Sequence, residues 1–165
     1  MPEAEFRPEG MLEVLAEHEV LYVLIGGFAA VIYGSPYVTT DIDVVPQILP
    51  ENLTRLSAAL DAMHAKVWTG AEPQGVAFSH DATSLGAVQI WNLITDFGRL
   101  DLMLRPSGTA GYDDIARDSV HLTILGVDVD VASLADIVRS KEAAGRDKDR
   151  LVLPVLRRIL EEQPP

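Results

Sequence analysis

The chain has 165 residues, 48% of them hydrophobic, and its 25 acidic and 13 basic side chains give a formal net charge of −12. This length and apolar content predict a single domain over residues 1–165 with a full core. The acidic balance argues against an extended nucleic-acid-binding surface, which needs many lysines and arginines, and the absence of cysteine excludes disulfides and thiolate metal sites.

The chain carries no convincing membrane or export signal. The stretch from Val20 to Thr40 has no charged residue, but glycines and polar residues interrupt it and both of its flanks are acidic. The first ten residues lack the basic start of a signal peptide. We therefore expect a cytoplasmic protein that does not enter a membrane.

The first 65 residues alternate between helical and strand patterns. A helix is predicted at about 8–19, and a continuous apolar run predicts a buried strand at 20–25. A short helix follows at 28–33, then a strand at 40–45 in which acids alternate with aliphatics, and a longer helix from 50 to about 65.

From residue 66 to 130 the pattern favours strands, and the chain then ends in helices. The expected strands form two hairpins, with arms at 88–94 and 99–104, and at 121–125 and 127–131. Ser133 caps a helix that runs to about 144, and a last helix at 147–162 is expected to bend or break near Pro154. Helices before and after the strands predict an α+β or α/β fold, with a largely antiparallel central sheet flanked by helices and a helical C-terminus.

Two carboxylates at strand spacing form the first candidate site. In Asp41-Ile42-Asp43 the two acids point to the same face of a strand, with residue centres roughly 6 to 7 Å apart. Oxygen ligands in this arrangement suit Mg²⁺ or Mn²⁺. The same spacing recurs in Asp128-Val129-Asp130, but that pair follows a hairpin turn and reads as a solvent-facing strand edge.

A glycine pair precedes the first acid pair. Gly26 and Gly27 open the way to a short helix, and without Cβ atoms their backbone can approach a phosphate closely. Either motif alone has a plainer explanation, since a lone Gly-Gly usually marks a turn and a lone Asp-x-Asp a solvated strand. Together they predict a triphosphate cradle beside a metal site.

These residues resemble the signature of the DNA polymerase beta-like nucleotidyltransferase superfamily. The resemblance is carried by Val23-Leu24-Ile25-Gly26-Gly27, Ala29, Gly34 and Thr39-Thr40-Asp41-Ile42-Asp43. The most similar branch comprises small nucleotidyltransferases that include toxins of abortive-infection and related toxin-antitoxin systems. It implies a nucleotidyltransferase fold, an NTP substrate and Mg²⁺ or Mn²⁺ as cofactor, with an antitoxin protein as a further partner.

The resemblance also assigns roles to individual residues. Asp41, Asp43 and a later acid, Asp101 in Leu100-Asp101-Leu102, would be catalytic and would hold the metal, although Asp101 taken alone reads equally well as an exposed strand residue. The residues implied at the nucleotide are Gly26, Gly27, Thr40 and Lys141. Arg146, Lys148 and Asp149 follow Lys141 as in the family's C-terminal helix, where ion pairing between the helices explains them as well as a functional role does.

One position departs from the family pattern. Many relatives carry an arginine two residues before the threonine that Thr39 matches, and this chain has Tyr37 there. The leading hypothesis is transfer of a nucleoside monophosphate from an NTP to an acceptor hydroxyl on RNA or tRNA, a protein or a small molecule. Tyr37 supports an alternative, a catalytically inactive nucleotide-binding or regulatory module on the same fold, and a purely structural interaction protein is a third possibility.

Overall fold

The computed structural model describes residues 4–164, which form one seven-stranded sheet and seven helices. The strands are β1 (Tyr22–Ile25), β2 (Asp41–Pro46), β3 (Lys66–Val67), β4 (Ile90–Thr95), β5 (Gly98–Met103), β6 (Val120–Ile124) and β7 (Val127–Val131). The helices are α1 (Pro8–Glu17), α2 (Gly26–Ile32), α3 (Pro50–Ala62), α4 (Ala82–Gly86), α5 (Tyr112–Ala116), α6 (Leu134–Ala144) and α7 (Asp147–Glu162).

The strands lie in the order β3-β4-β5-β2-β1-β7-β6. The pairs β2–β5 and β1–β7 are parallel, and the other four neighbouring pairs are antiparallel. This confirms the predicted α+β fold with a largely antiparallel sheet, flanking helices and a helical C-terminus.

The core forms where the helices pack on the central strands. All four residues of β1 are buried, as expected for a strand with neighbours on both edges. Helix α1 places Met11, Leu12 and Leu15 in the core and packs on β7 and α3. Helix α2 packs on β1, β2 and α6, and α6 packs on α7, so the C-terminal helices are held close to the ends of β1 and β2.

Three local predictions need correction. Helix α2 begins at Gly26 and not at residue 28, because Gly26 adopts a left-handed φ of 79° that lets the chain turn from strand directly into helix. Helix α7 runs unbroken through Pro154, which lies on its exposed face where water can hydrate the carbonyl group that loses its partner. The short helices α4 and α5 interrupt a region in which strands alone were predicted.

The second acid pair also lies in a different place from the one predicted. Strand β7 is inside the sheet, between β1 and β6, so the prediction that Asp128 and Asp130 mark a strand edge is wrong. Both carboxylates nevertheless face solvent, with 70% and 45% of their side chains exposed, and both lie close to His121 of β6. Across residues 4–164, no helix is long and apolar enough to cross a bilayer.

Candidate active site

The sheet register places the three predicted acids side by side. Asp43 lies directly across from Asp101 in the parallel pair of β2 and β5, and Asp41 precedes Asp43 on the same face. One carboxylate oxygen from each of the three residues lies within 4.8 Å of the others. A cluster this tight has the dimensions of a site for a divalent cation.

Gly26, the first residue of the glycine pair, touches this cluster directly. Ile25 lies opposite Asp43 in the antiparallel pair of β1 and β2, so the chain passes the acids as it enters α2. A Cβ atom on Gly26 would stand 1.9 Å from Oδ2 of Asp43, whereas one on Gly27 would meet only Thr39 at 3.3 Å. Only glycine at position 26 allows the backbone to pass Asp43 this closely.

The loop before β2 orients one of the acids. The Thr39 hydroxyl donates a hydrogen bond of 2.8 Å to Oδ1 of Asp41. Thr40, a predicted nucleotide contact, is exposed and lines a pocket beside Asp41 and Asp43, together with Tyr37. Thr39 carried the family resemblance, but its bond to Asp41 could not be read from the motif.

Arg99 is a site residue that sequence reasoning missed. Its guanidinium donates to Oδ1 of Asp101 at 3.0 Å, and the guanidinium carbon lies 3.8 Å from the centre of the Trp68 ring. Only 18% of the Arg99 side chain is exposed. The Arg-x-Asp spacing on β5, which puts both side chains on one face, is the signal that could have revealed it.

Burial and neighbouring negative charge disfavour the ionised forms of Asp43 and Asp101. Burial, followed by the charges of Asp41 and Asp101, raises the pKa of Asp43 well above its ordinary value, and Lys148 opposes the rise. Burial also raises the pKa of Asp101, although the Arg99 charge opposes it. Crowded, partly desolvated acids of this kind are stabilised by a bound cation, which restores their ionised form.

Basic side chains from α6 and α7 face the acids. Asp149 is fully buried and accepts from Nε of Arg146 at 2.7 Å and from Nζ of Lys141 at 3.5 Å. Within the described part of the chain, Lys148 has no carboxylate at ion-pair distance, although its charge acts on Asp43. Of the three cations that line the site, Lys148 is therefore the one that is not held in an ion pair within the described residues.

The acids divide a cleft into two pockets that share Gly26, Asp41, Asp43 and the three basic residues. The first pocket, beside α2, is further lined by Gly27, Tyr37, Val38, Thr39 and Thr40. The second lies on the Asp101 side and is further lined by Ile90, Asn92, Met103, Pro106, Ile137 and Ser140. We call these the glycine-side pocket and the Asp101-side pocket.

The fold is similar to that of two solved structures. Lincosamide antibiotic adenylyltransferase LnuA in its lincomycin-bound form is similar, with a TM-score of 0.63, 14% identity, and 95% of this chain and 99% of that chain covered. A Thermotoga maritima protein, TM1012, provisionally described as a nucleotidyltransferase, has a TM-score of 0.55 and 19% identity over 97% of this chain and 98% of its own.

The chain has a nucleotidyltransferase fold. No protein-family model matches the sequence, and a search of curated proteins finds no match. At the identities of the two structural neighbours the likeness extends to the fold alone, so the activity of a nucleotidyltransferase has to be argued from the residues of the cleft.

Proposed function

We propose that this protein is a metal-dependent nucleotidyltransferase that moves a nucleoside monophosphate from an NTP to an acceptor hydroxyl. One observation carries the proposal: oxygens of three carboxylates lie within 4.8 Å of one another, one of these carboxylates packs against Gly26, and three basic side chains line the same cleft. A phosphate-transfer site needs such a combination, because it has to hold a cation and a polyanion together.

Asp41, Asp43 and Asp101 would hold Mg²⁺ or Mn²⁺. The donor set fits, since it consists only of carboxylate oxygens and its mutual repulsion calls for positive charge. When bound, the divalent cation supplies charge neutralisation for the α-phosphate and the departing pyrophosphate, and acidifies the attacking hydroxyl.

Asp101 would orient the acceptor. It lines the Asp101-side pocket but not the glycine-side pocket, so its carboxylate can accept the acceptor's hydrogen bond and direct that oxygen at the α-phosphorus. The hydrogen bond from the Arg99 guanidinium holds the Asp101 carboxylate in position. The acceptor oxygen then forms a bond to phosphorus as the bond between the α-phosphorus and its bridging oxygen breaks, and pyrophosphate leaves.

The other half of the cleft would hold the triphosphate. Backbone amides of Gly26 and Gly27 and the exposed Thr40 line the glycine-side pocket, and Lys141, Arg146 and Lys148 supply positive charge. Asp149 anchors Lys141 and Arg146, whereas Lys148 is free to follow the phosphates. We therefore assign Lys148 a phosphate contact beside the one predicted for Lys141.

A pyrophosphate-release assay with each NTP, Mg²⁺ and cell lysate tests the proposal. Asp43→Ala should abolish release, whereas Asp128→Ala should leave it unchanged, because Asp128 belongs to a pair of the same spacing on β7, which lies outside the cleft. Equal release by the Asp43 variant and the wild type would contradict the assignment. NTP binding by calorimetry without any release would instead favour the inactive nucleotide-binding module that Tyr37 suggests.

A role as the toxin of a toxin-antitoxin pair, with an antitoxin protein as partner, stays a prediction from the sequence resemblance. It requires that induced expression arrests growth and that Asp43→Ala removes the arrest. Growth that is unaffected by the active protein would contradict it.

A further inference from the structure

One wall of the Asp101-side pocket combines four apolar residues with two uncharged polar ones, whereas the rest of the lining is mostly charged: the wall is formed by Ile90, Asn92, Met103, Pro106, Ile137 and Ser140. Sheet register puts Asn92 of β4 directly across from Asp101, and Ile90 across from Met103, so these side chains share a face with the acid. Ile137 and Ser140, one turn apart on α6, also line the pocket. An acceptor hydroxyl oriented by Asp101 would therefore lie beside these residues.

This wall is poorly suited to a polyanion. Ile90 is 47% exposed although it is a large apolar residue at the cleft, and Met103 opposite it is partly exposed. Pro106 and Ile137 also line the pocket, but both are buried. The only cations lining the pocket are Lys141, Arg146 and Lys148, which also line the glycine-side pocket where the triphosphate is placed. RNA would need further lysines or arginines along its backbone, and the chain's net charge of −12 opposes it.

Two polar groups in the wall remain available to a ligand. Among residues 4–164, neither the Asn92 amide nor the Ser140 hydroxyl has a hydrogen-bond partner. The pocket is a cavity of ≈ 110 Å³ that opens to solvent. A concave site that combines apolar side chains with a few polar groups is typical of small-molecule binding.

We infer that the acceptor is a small, uncharged or cationic molecule that carries a hydroxyl group next to an apolar portion. This inference rests on the proposed function and specifies its acceptor. The hydroxyl oxygen bonds to the α-phosphorus of the NTP, while the bond between the α-phosphorus and the oxygen that bridges to the β-phosphate breaks. The hydroxyl proton passes to Asp101 and then to solvent, and pyrophosphate is released. The apolar portion packs on Ile90 and Met103, while Asn92 and Ser140 hydrogen-bond its polar groups.

The test uses the full chain with Mg²⁺ and each NTP labelled at the α-phosphate, incubated separately with three probes. These are an RNase-treated low-mass ultrafiltrate of cell lysate supplemented with lincomycin, purified total RNA, and the dialysed protein fraction. Label in a low-mass product supports the inference. Label in RNA or protein, with the low-mass fraction unlabelled, overturns it but leaves the proposed function standing, and no label or pyrophosphate with any probe overturns both.

A matched pair of variants locates the site of the labelled low-mass acceptor. Ile90→Lys should raise its KM by about 10-fold or more, because the apolar contact is lost and a charge faces the ligand. Ile48→Lys, which changes another exposed isoleucine outside the cleft, should not raise it. The Ile48 variant should also bind a non-hydrolysable NTP as tightly as the wild type. An unchanged or lowered KM in the Ile90 variant would overturn the assignment of this pocket.

Discussion

Replacing Gly26 with alanine should disable the site through a single methyl group. The added Cβ atom would lie 1.9 Å from Oδ2 of Asp43. The carboxylate therefore has to move away by about 1.5 Å to reach the 3.4 Å of an ordinary van der Waals contact. Misplacement of a reacting group by 1 Å can cost roughly 10²-fold in rate, so we expect kcat/KM to fall at least about 100-fold. Metal affinity should fall as well, because Asp43 is one of the three candidate ligands found among residues 4–164.

Backbone strain has to be separated from this displacement, and Gly126 provides the control. Its φ of 83° matches the 79° of Gly26, but a Cβ there meets nothing within 4 Å. Each alanine in this conformation should cost about 1 to 2 kcal/mol of folding free energy. We expect Gly126→Ala to lose only this stability, measured by thermal unfolding, and to keep wild-type pyrophosphate release and Mn²⁺ affinity. Wild-type turnover and metal affinity in Gly26→Ala would refute the contact between Gly26 and Asp43.

Three further outcomes are expected. Asp43→Asn should raise the melting temperature of the metal-free protein, since it removes one of three crowded charges, and should abolish the rise that Mg²⁺ causes. Arg99→Met should lower kcat by about 10- to 100-fold, because Asp101 loses the partner that orients it; a wild-type kcat would remove Arg99 from the site. Burial raises the pKa of Asp149, but hydrogen bonds and charges from Arg146 and Lys141 outweigh burial and hold the pKa below its usual value. The ionised Asp149 therefore stabilises the fold fully above its unfolded pKa of about 3.9. This stabilisation is lost as the pH falls through the lower pKa of the folded state. Asp149→Asn should therefore cost about 2 kcal/mol in urea unfolding at pH 7, and a gap from wild type that does not narrow in acid would contradict this ion-pair account.

Much of the fold follows from local patterns in the sequence. The continuous apolar run of β1, the hairpin of β4 and β5 around Asp96-Phe97, and the Ser133 cap of α6 each have a short-range cause and were predicted close to their observed bounds. The parallel pairing of β2 with β5 joins strands that are more than 50 residues apart. No local pattern encodes that pairing, so strand order and the interior position of β7 could not be predicted.

The site residues likewise differ in whether local sequence could predict them. Asp41, Asp43 and the glycine pair lie close together in sequence and form a recognisable motif, whereas Asp101 joins them only through the pairing of β5 with β2. Arg99 was not predicted, because its Arg-x-Asp spacing with Asp101 points to the site only once β5 is known to lie beside β2. Trp68, which packs against Arg99, follows β3 and is held there by a hydrogen bond to the Asn92 carbonyl of β4. Burial separates the C-terminal cations, since Lys141 and Arg146 pair with the enclosed Asp149 whereas Lys148 is exposed, but their functional roles stay predictions.

The most direct test of the central claim is a crystal structure of the protein soaked with Mn²⁺ and a non-hydrolysable NTP. Anomalous scattering should place at least one Mn²⁺ ion within about 2.5 Å of carboxylate oxygens from Asp41 and Asp43, with the triphosphate between Gly26 and Lys148. An Mn²⁺ ion bound elsewhere, or a nucleotide bound away from these acids, would contradict the account.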